Sequence, residues 1–168
     1  MQLYLIRHPR PRIAVGICYG QLDIDCDDPL PVAATLRPRL PAGTRIISSP
    51  LQRARKLAVA LDPQASIDPR LSEINFGAWE GLSWNEIDRL ALDAWAADVL
   101  GFRPPGGETV NELQQRAIDF ASSLNAPHIA LVTHAGILRA LVGHWHKLPV
   151  AEWTQLNFAF GSLTTLEI

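Results

Sequence analysis

What most limits the folds open to this chain is an alternation of short apolar runs with segments whose apolar residues recur at helical spacing. Residues 2 to 6 (Gln-Leu-Tyr-Leu-Ile), 45 to 49 (Arg-Ile-Ile-Ser-Ser) and 128 to 133 (His-Ile-Ala-Leu-Val-Thr) read as short buried strands. After the second of them, Leu51, Ala54, Leu57, Ala58 and Leu61 share one helical face until Pro63 stops the run. Val110, Leu113, Ala117, Phe120, Ala121 and Leu124 form another such stripe, and Ile137, Leu138, Leu141, Val142 and Trp145 a third. Such alternation predicts a three-layer α/β/α sandwich.

The remaining segments read less sharply. Residues 9 to 31, interrupted at Pro9, Pro11, Gly16, Pro29 and Pro31, predict a long irregular loop next to a charged strand end, where a functional role is expected. Residues 65 to 68 suggest an edge strand, and 71 to 81 a turn-rich stretch. Residues 83 to 99 suggest a helix carrying Ile87, Leu90, Ala94 and Trp95, with 158 to 160 and 163 to 168 as closing strands. Pro104 to Gly107 break the chain, and Glu108 suits a helix start or a substrate contact. With 168 residues, 48% of them hydrophobic, one domain spanning 1–168 is expected, its 82–107 insertion covering the substrate site.

Charge and cysteine usage narrow the class. A net charge of −2 supplies no basic field for nucleic acid or an acidic membrane surface, so neither partner is expected. No apolar stretch approaches the roughly 18 residues of a membrane span. Cys18 and Cys26 are too few for a disulfide framework and lack zinc-ligand spacing, which suits free thiols in the cytoplasm. His144 and His146, two apart on a helix, do not share a face, so no metal site is expected.

In an open α/β sheet, ligands sit beyond the carboxyl ends of the strands. Here those ends deliver Arg7 and His8, then Arg53, then His134. Two guanidinium forks and two imidazoles around one point suit a phosphate dianion. A histidine attacks phosphorus when one ring nitrogen is unprotonated and the other donates to a fixed acceptor, and His8 is the candidate. His134, Arg7 and Arg53 would then stabilise the oxygens in the transition state. A leaving alkoxide needs a proton, which a carboxyl group can supply. Glu73 is best placed for this, with Glu80 second.

These residues sit in five blocks whose order resembles that of the histidine phosphatase superfamily, the phosphoglycerate mutase-like proteins. Arg7-His8 is similar to its Arg-His-Gly signature, and Ser48 to Ala54 to its Ser-x-Leu-x-Arg-Ala segment. Leu71 to Gly81 resembles the stretch carrying the proton donor, which falls on Glu73. Pro104 to Thr109 and Val132 to Gly136 complete the set. Trp79-Glu80-Gly81 and Pro105 to Glu108 look closest to the small-phosphatase branch that includes alpha-ribazole phosphatase of cobalamin biosynthesis. The resemblance implies a phosphomonoesterase working through a phosphohistidine intermediate on a small phosphorylated molecule, without cofactor or metal, as a monomer or homodimer. Alpha-ribazole 5′-phosphate is the specific substrate it suggests. It implies catalytic roles for His8, Glu73, His134, Arg7 and Arg53, and substrate contacts from Arg7, Arg53, His134, Arg10, Tyr19 and Gly20.

Two departures from the pattern stand out. Pro9 replaces the family's glycine, and the loop lacks the asparagine that usually donates to phosphate, leaving Arg10 or Arg12 to substitute. A phospho-ligand-binding pseudoenzyme and a phosphohistidine protein phosphatase are the alternative functions. Intact Arg7, His8, Arg53, Glu73 and His134 argue against the first, and the 82–107 insertion against the open site the second needs.

Overall fold

A computed structural model describes residues 1–168. Five strands, β1 (Gln2–Arg7), β2 (Arg45–Ser48), β3 (Ser66–Ile67), β4 (His128–Thr133) and β5 (Leu163–Glu167), form one sheet in the order β3-β2-β4-β1-β5. The first four run parallel to their neighbours, and only β5 pairs antiparallel, against β1. Successive side chains of a strand point to opposite faces. On β1 and β4 both sets are apolar, because helices cover both faces. Leu3, Leu5, Ile129 and Leu131 pack against α4 (Val110–Ser122) and α5 (Ala135–Trp145). Tyr4, Ile6, Ala130 and Val132 pack against α1 (Leu30–Leu36) and α2 (Gln52–Leu61). The architecture is therefore the three-layer α/β/α sandwich expected. Complete burial of Leu57 from α2 contributes roughly 2 kcal/mol to holding that layer.

Strand register brings three distant pieces of chain to one edge. Arg7 pairs with Thr133, and Ser48 with Val132, so β1, β4 and β2 end together. The next residue in each case stays tied to the sheet. His8 N–H donates to the Thr133 carbonyl at 3.0 Å, and Ser49 N–H to that of Val132 at 3.0 Å.

The outer elements depart from their sequence-based expectations for local reasons. The helix expected over 83 to 99 begins only at Arg89, because the Asp88 side chain caps it by accepting the Ala91 N–H at 3.0 Å. This is α3 (Arg89–Ala97), and turns precede it. Helices α1 and α6 (Val150–Trp153) were not anticipated. They are two turns and one turn long and bury only Ala33 and Leu36, and Trp153, too few positions for a periodic signal. Residues 158 to 160 form no strand; β5 starts at Leu163, after a turn in which the Gly161 N–H donates to the carbonyls of Arg7 and His8 at 3.1 Å. Helix α4 is capped by Thr109 and Glu112 in a reciprocal capping box, not by Glu108. No helix is long and apolar enough to cross a membrane.

Candidate active site

His8 lies at the end of β1 and is 1% exposed. Its Nδ1 stands 2.6 Å from the Pro9 carbonyl, which can only accept, so Nδ1 carries the ring hydrogen and Nε2 is left with a free lone pair. This answers the first departure noted in the sequence. The orienting acceptor is a main-chain carbonyl, which proline provides as well as glycine does, although proline brings no N–H of its own. Burial pushes the imidazole's pKa down to about 3, and the nearby charges of Arg53 and Arg7 push it the same way against the Pro9 hydrogen bond. The ring is thus neutral at ordinary pH, as an attacking nitrogen requires.

His134, at the end of β4, is fully buried, with its ring centroid 5.0 Å from that of His8. Its Nε2 is 2.8 Å from Ser49 Oγ, which also accepts the Leu51 N–H at 3.2 Å. A hydroxyl that accepts from Leu51 can still give its proton to Nε2, and in that arrangement the hydrogen of neutral His134 sits on Nδ1. That nitrogen is buried without a protein partner. Burial, followed by the charges of His8 and Arg53, holds the pKa of His134 well below the usual histidine range.

Arg53 enters from the first turn of α2 and is completely buried. Two of its nitrogens are spent on the loop expected to carry substrate contacts: Nη1 donates to the Leu22 carbonyl at 2.7 Å and Nη2 to that of Gly20 at 2.6 Å. Gly20 has a positive φ of 38°, and a Cβ there would lie 2.3 Å from Glu80 Oε1. Only glycine allows the loop this close. Arg7 Nη1 donates to the Phe158 carbonyl at 2.5 Å, and its guanidinium stacks 3.9 Å over the Phe160 ring. The Nε atoms of both arginines are buried and unpartnered. Desolvation by burial lowers the pKa of each guanidinium, against the raising influence of Glu73 and Tyr19.

Glu73 closes the site beside the start of α5. One carboxylate oxygen accepts the Ile74 N–H at 2.9 Å, and the other the Gly136 N–H at 3.2 Å. A Cβ on Gly136 would lie 2.2 Å from Glu73 Oε1, so the approach depends on that glycine. Arg7, Tyr19, Gly20, Glu73 and Gly136 together line a cavity of about 220 Å³. Glu80, the second-choice acid, has Oε1 occupied by the N–H groups of Gln21 and Phe76, each at 2.9 Å. Arg12 lies on the surface facing Asp25 and Asp27, while Arg10 is exposed with its guanidinium 5.7 Å over the Phe160 ring.

Three contributors escaped sequence reasoning. Phe158 and Phe160 orient Arg7 from a segment expected to be strand. Arg116, on α4, is ion-paired with Glu108 at 2.9 Å and donates to the carbonyls of Arg70, Ser72 and Glu73. It thereby clamps the main chain that carries the candidate acid. An arginine and a glutamate eight residues apart give no sequence signal of such a role.

Two buried neutral histidines make stability pH-dependent. Their folded pKa values lie below that of the unfolded chain, so the unfolded state binds more protons as pH falls below about 6.5. The histidine contribution to stability is then lost progressively from about pH 6.5 downward, on the order of 1 kcal/mol per pH unit for each fully coupled proton. Thermal melts from pH 7 to 4.5 are expected to show a shallower fall in Tm for His8→Asn than for wild type. Equal slopes would mean that His8 is protonated in the folded protein.

Comparison with known proteins places these features in context. A family model described as histidine phosphatase superfamily (branch 1) matches residues 3–168. Glucosyl-3-phosphoglycerate phosphatase of Mycolicibacterium vanbaalenii is 33% identical, over 93% of this chain and 79% of its own. Adenosylcobalamin/alpha-ribazole phosphatase of Salmonella typhimurium is 27% identical, over 100% of this chain and 91% of its own. Among solved structures, a mycobacterial glucosyl-3-phosphoglycerate phosphatase superimposes with a TM-score of 0.84 at 30% identity, covering 98% of this chain and 88% of that one.

Proposed function

The chain belongs to the histidine phosphatase superfamily (branch 1), and on that basis we propose that it hydrolyses a small phosphate monoester through a phosphohistidine at His8. One observation carries the reading. A neutral imidazole with its Nε2 lone pair free shares a buried site with three unpartnered polar atoms, Arg7 Nε, Arg53 Nε and His134 Nδ1. Buried polar groups are nearly always hydrogen-bonded, and three without partners around a nucleophile suit an incoming phosphate's oxygens.

In this mechanism the phosphate is held by Arg7, Arg53 and His134. His8 Nε2 attacks phosphorus, forming the N–P bond as the P–O bond to the alcohol breaks, and Glu73 gives its proton to the leaving oxygen. Water then attacks the phosphohistidine, Glu73 takes the water's proton, the N–P bond breaks and inorganic phosphate leaves. The Pro9 carbonyl holds the His8 ring in one tautomer and orientation, and its hydrogen bond is strengthened by the positive charge that attack creates on the imidazole.

Phosphoenzyme trapping tests the reading. After reaction with an aryl phosphate and an alkaline quench, mass spectrometry is expected to find one acid-labile phosphoryl group on the peptide containing His8. In Glu73→Gln the adduct should accumulate, since an aryl leaving group needs little protonation whereas water still needs a base. No adduct, or one on another residue, would sink the proposal. Alpha-ribazole 5′-phosphate is the specific substrate candidate. Glucosyl-3-phosphoglycerate is its competitor, and their kcat/KM values rank them directly.

A further inference from the structure

Beside the 220 Å³ cavity lies a second of about 340 Å³, within the range of small-molecule sites. Ile74, Phe76, Gly136 and Arg139 line both, so the two adjoin along a shared wall next to Glu73, which lines the smaller. The catalytic reading gives this second space no task. Eight of its twelve lining residues are hydrophobic. Trp95 and Val99, from α3 and the chain just after it, form one wall, Val110 and Leu113 of α4 another, and Trp153 closes a third.

The chemistry of these walls is selective. No carboxylate lines them, and the only cation, Arg139, has its Nε committed to the Leu156 carbonyl at 2.7 Å. Thr154 and Gln155 are the only uncharged polar side chains there. A sugar or another polyhydroxylated alcohol would lose its hydration against Trp, Val and Leu with few partners in return. The aromatic wall is also held in place before any ligand arrives. Trp95 stacks on Trp84 at 5.8 Å with 7° between the rings, and Phe76 meets both edge-on, at 5.9 Å and 5.5 Å. Little ordering cost remains for a flat apolar group that fits.

We infer that the alcohol part of the substrate is an apolar, aromatic group that leaves the phosphate past Glu73 and seats in the cavity between α3, α4 and α6. This rests on the phosphomonoesterase reading and adds the class of alcohol. The bond cleaved joins phosphorus to an oxygen borne by a short linker. The linker spans the shared wall at Ile74 and Gly136, and the ring beyond it meets Trp95 and Val99.

The test compares alkyl phosphates whose leaving alcohols have similar basicity, so that binding and not leaving-group reactivity sets the rates. Ethyl phosphate, 2-phenylethyl phosphate, 2-(1-naphthyl)ethyl phosphate and glucose 6-phosphate serve as probes. For wild type, kcat/KM is expected to rise about 10-fold or more from ethyl to phenylethyl, with glucose 6-phosphate no better than ethyl. Val99→Trp, which fills the cavity, should bring the phenylethyl-to-ethyl ratio to within about 2-fold and leave ethyl phosphate turnover unchanged. Gln155→Trp, at an exposed position on the rim, provides the same reading if Val99→Trp fails to fold. A wild-type ratio near one, a preference for glucose 6-phosphate, or a ratio surviving the cavity-filling change would overturn the inference while leaving the phosphatase reading intact. No turnover of any probe by folded wild type would overturn both.

Discussion

His8→Ala is expected to lower kcat on an aryl phosphate by at least about 1000-fold while leaving the protein folded. The variant removes the attacking nitrogen but leaves Arg7, Arg53 and His134 in place. Loss of turnover with retained affinity for inorganic phosphate is therefore the pattern of a missing nucleophile. Excess chelator should not affect the wild type, because the site is built from guanidinium, imidazole and one carboxyl group and no His, Cys, Asp and Glu side chains cluster as a metal-binding group. Turnover persisting in His8→Ala would move the chemistry to another residue. Inactive wild type that still binds phosphate would instead favour the pseudoenzyme alternative.

Arg53→Met is expected to cost about 1000-fold in kcat/KM, and its effect should divide into two measurable parts. The first is loss of a buried phosphate donor; removing such donors from preorganised sites typically costs about 100- to 1000-fold each. The second is release of the loop. The Gly20 and Leu22 carbonyls lose their charged donors; Leu22 keeps the Ile24 N–H, while leaving the buried Gly20 carbonyl unsatisfied costs roughly 1 to 3 kcal/mol, offset in part by no longer burying a cation. In wild type, orthovanadate at about 100 times its Kd should stabilise the fold by about 2.7 kcal/mol, visible as a rise in Tm. Arg53→Met should lose this rise, and Arg53→Lys should recover only part of it, since an ammonium cannot reach two carbonyls and an anion with the same planar fork. A variant with full vanadate protection would show that Arg53 serves the loop and not the phosphate.

The residues expected to carry the chemistry were legible because each lies at a place the local sequence marks. His8 follows an apolar strand, His134 joins a strand to a helix, and Arg53 follows a Ser-Pro helix start. The layer architecture was legible for the same reason: strand-length apolar runs and helical stripes of four to six residues report directly which faces are buried. Segments with only one or two buried positions, such as α1 and α6, carry too little periodicity to be read. Asp88 is a cap signal within the sequence, but the apolar pattern running through it hid the true start of α3.

Tertiary structure decided what depends on long-range contacts between ordinary residue types. That Ser49 meets His134 and that Phe160 lies beneath Arg7 follow from backbone paths brought together by strand register. The Arg116–Glu108 clamp and the apolar cavity beside Glu73 are of the same kind, since an arginine or a tryptophan on a helix occurs for many reasons. Sequence alone thus determined the layers and the family and marked the candidate reacting groups, because those reside in local pattern and motif. Only the packed structure determined how those side chains are oriented and what cavity lies beside them, because orientation and cavity shape come from side chains far apart in the chain that meet only when it folds.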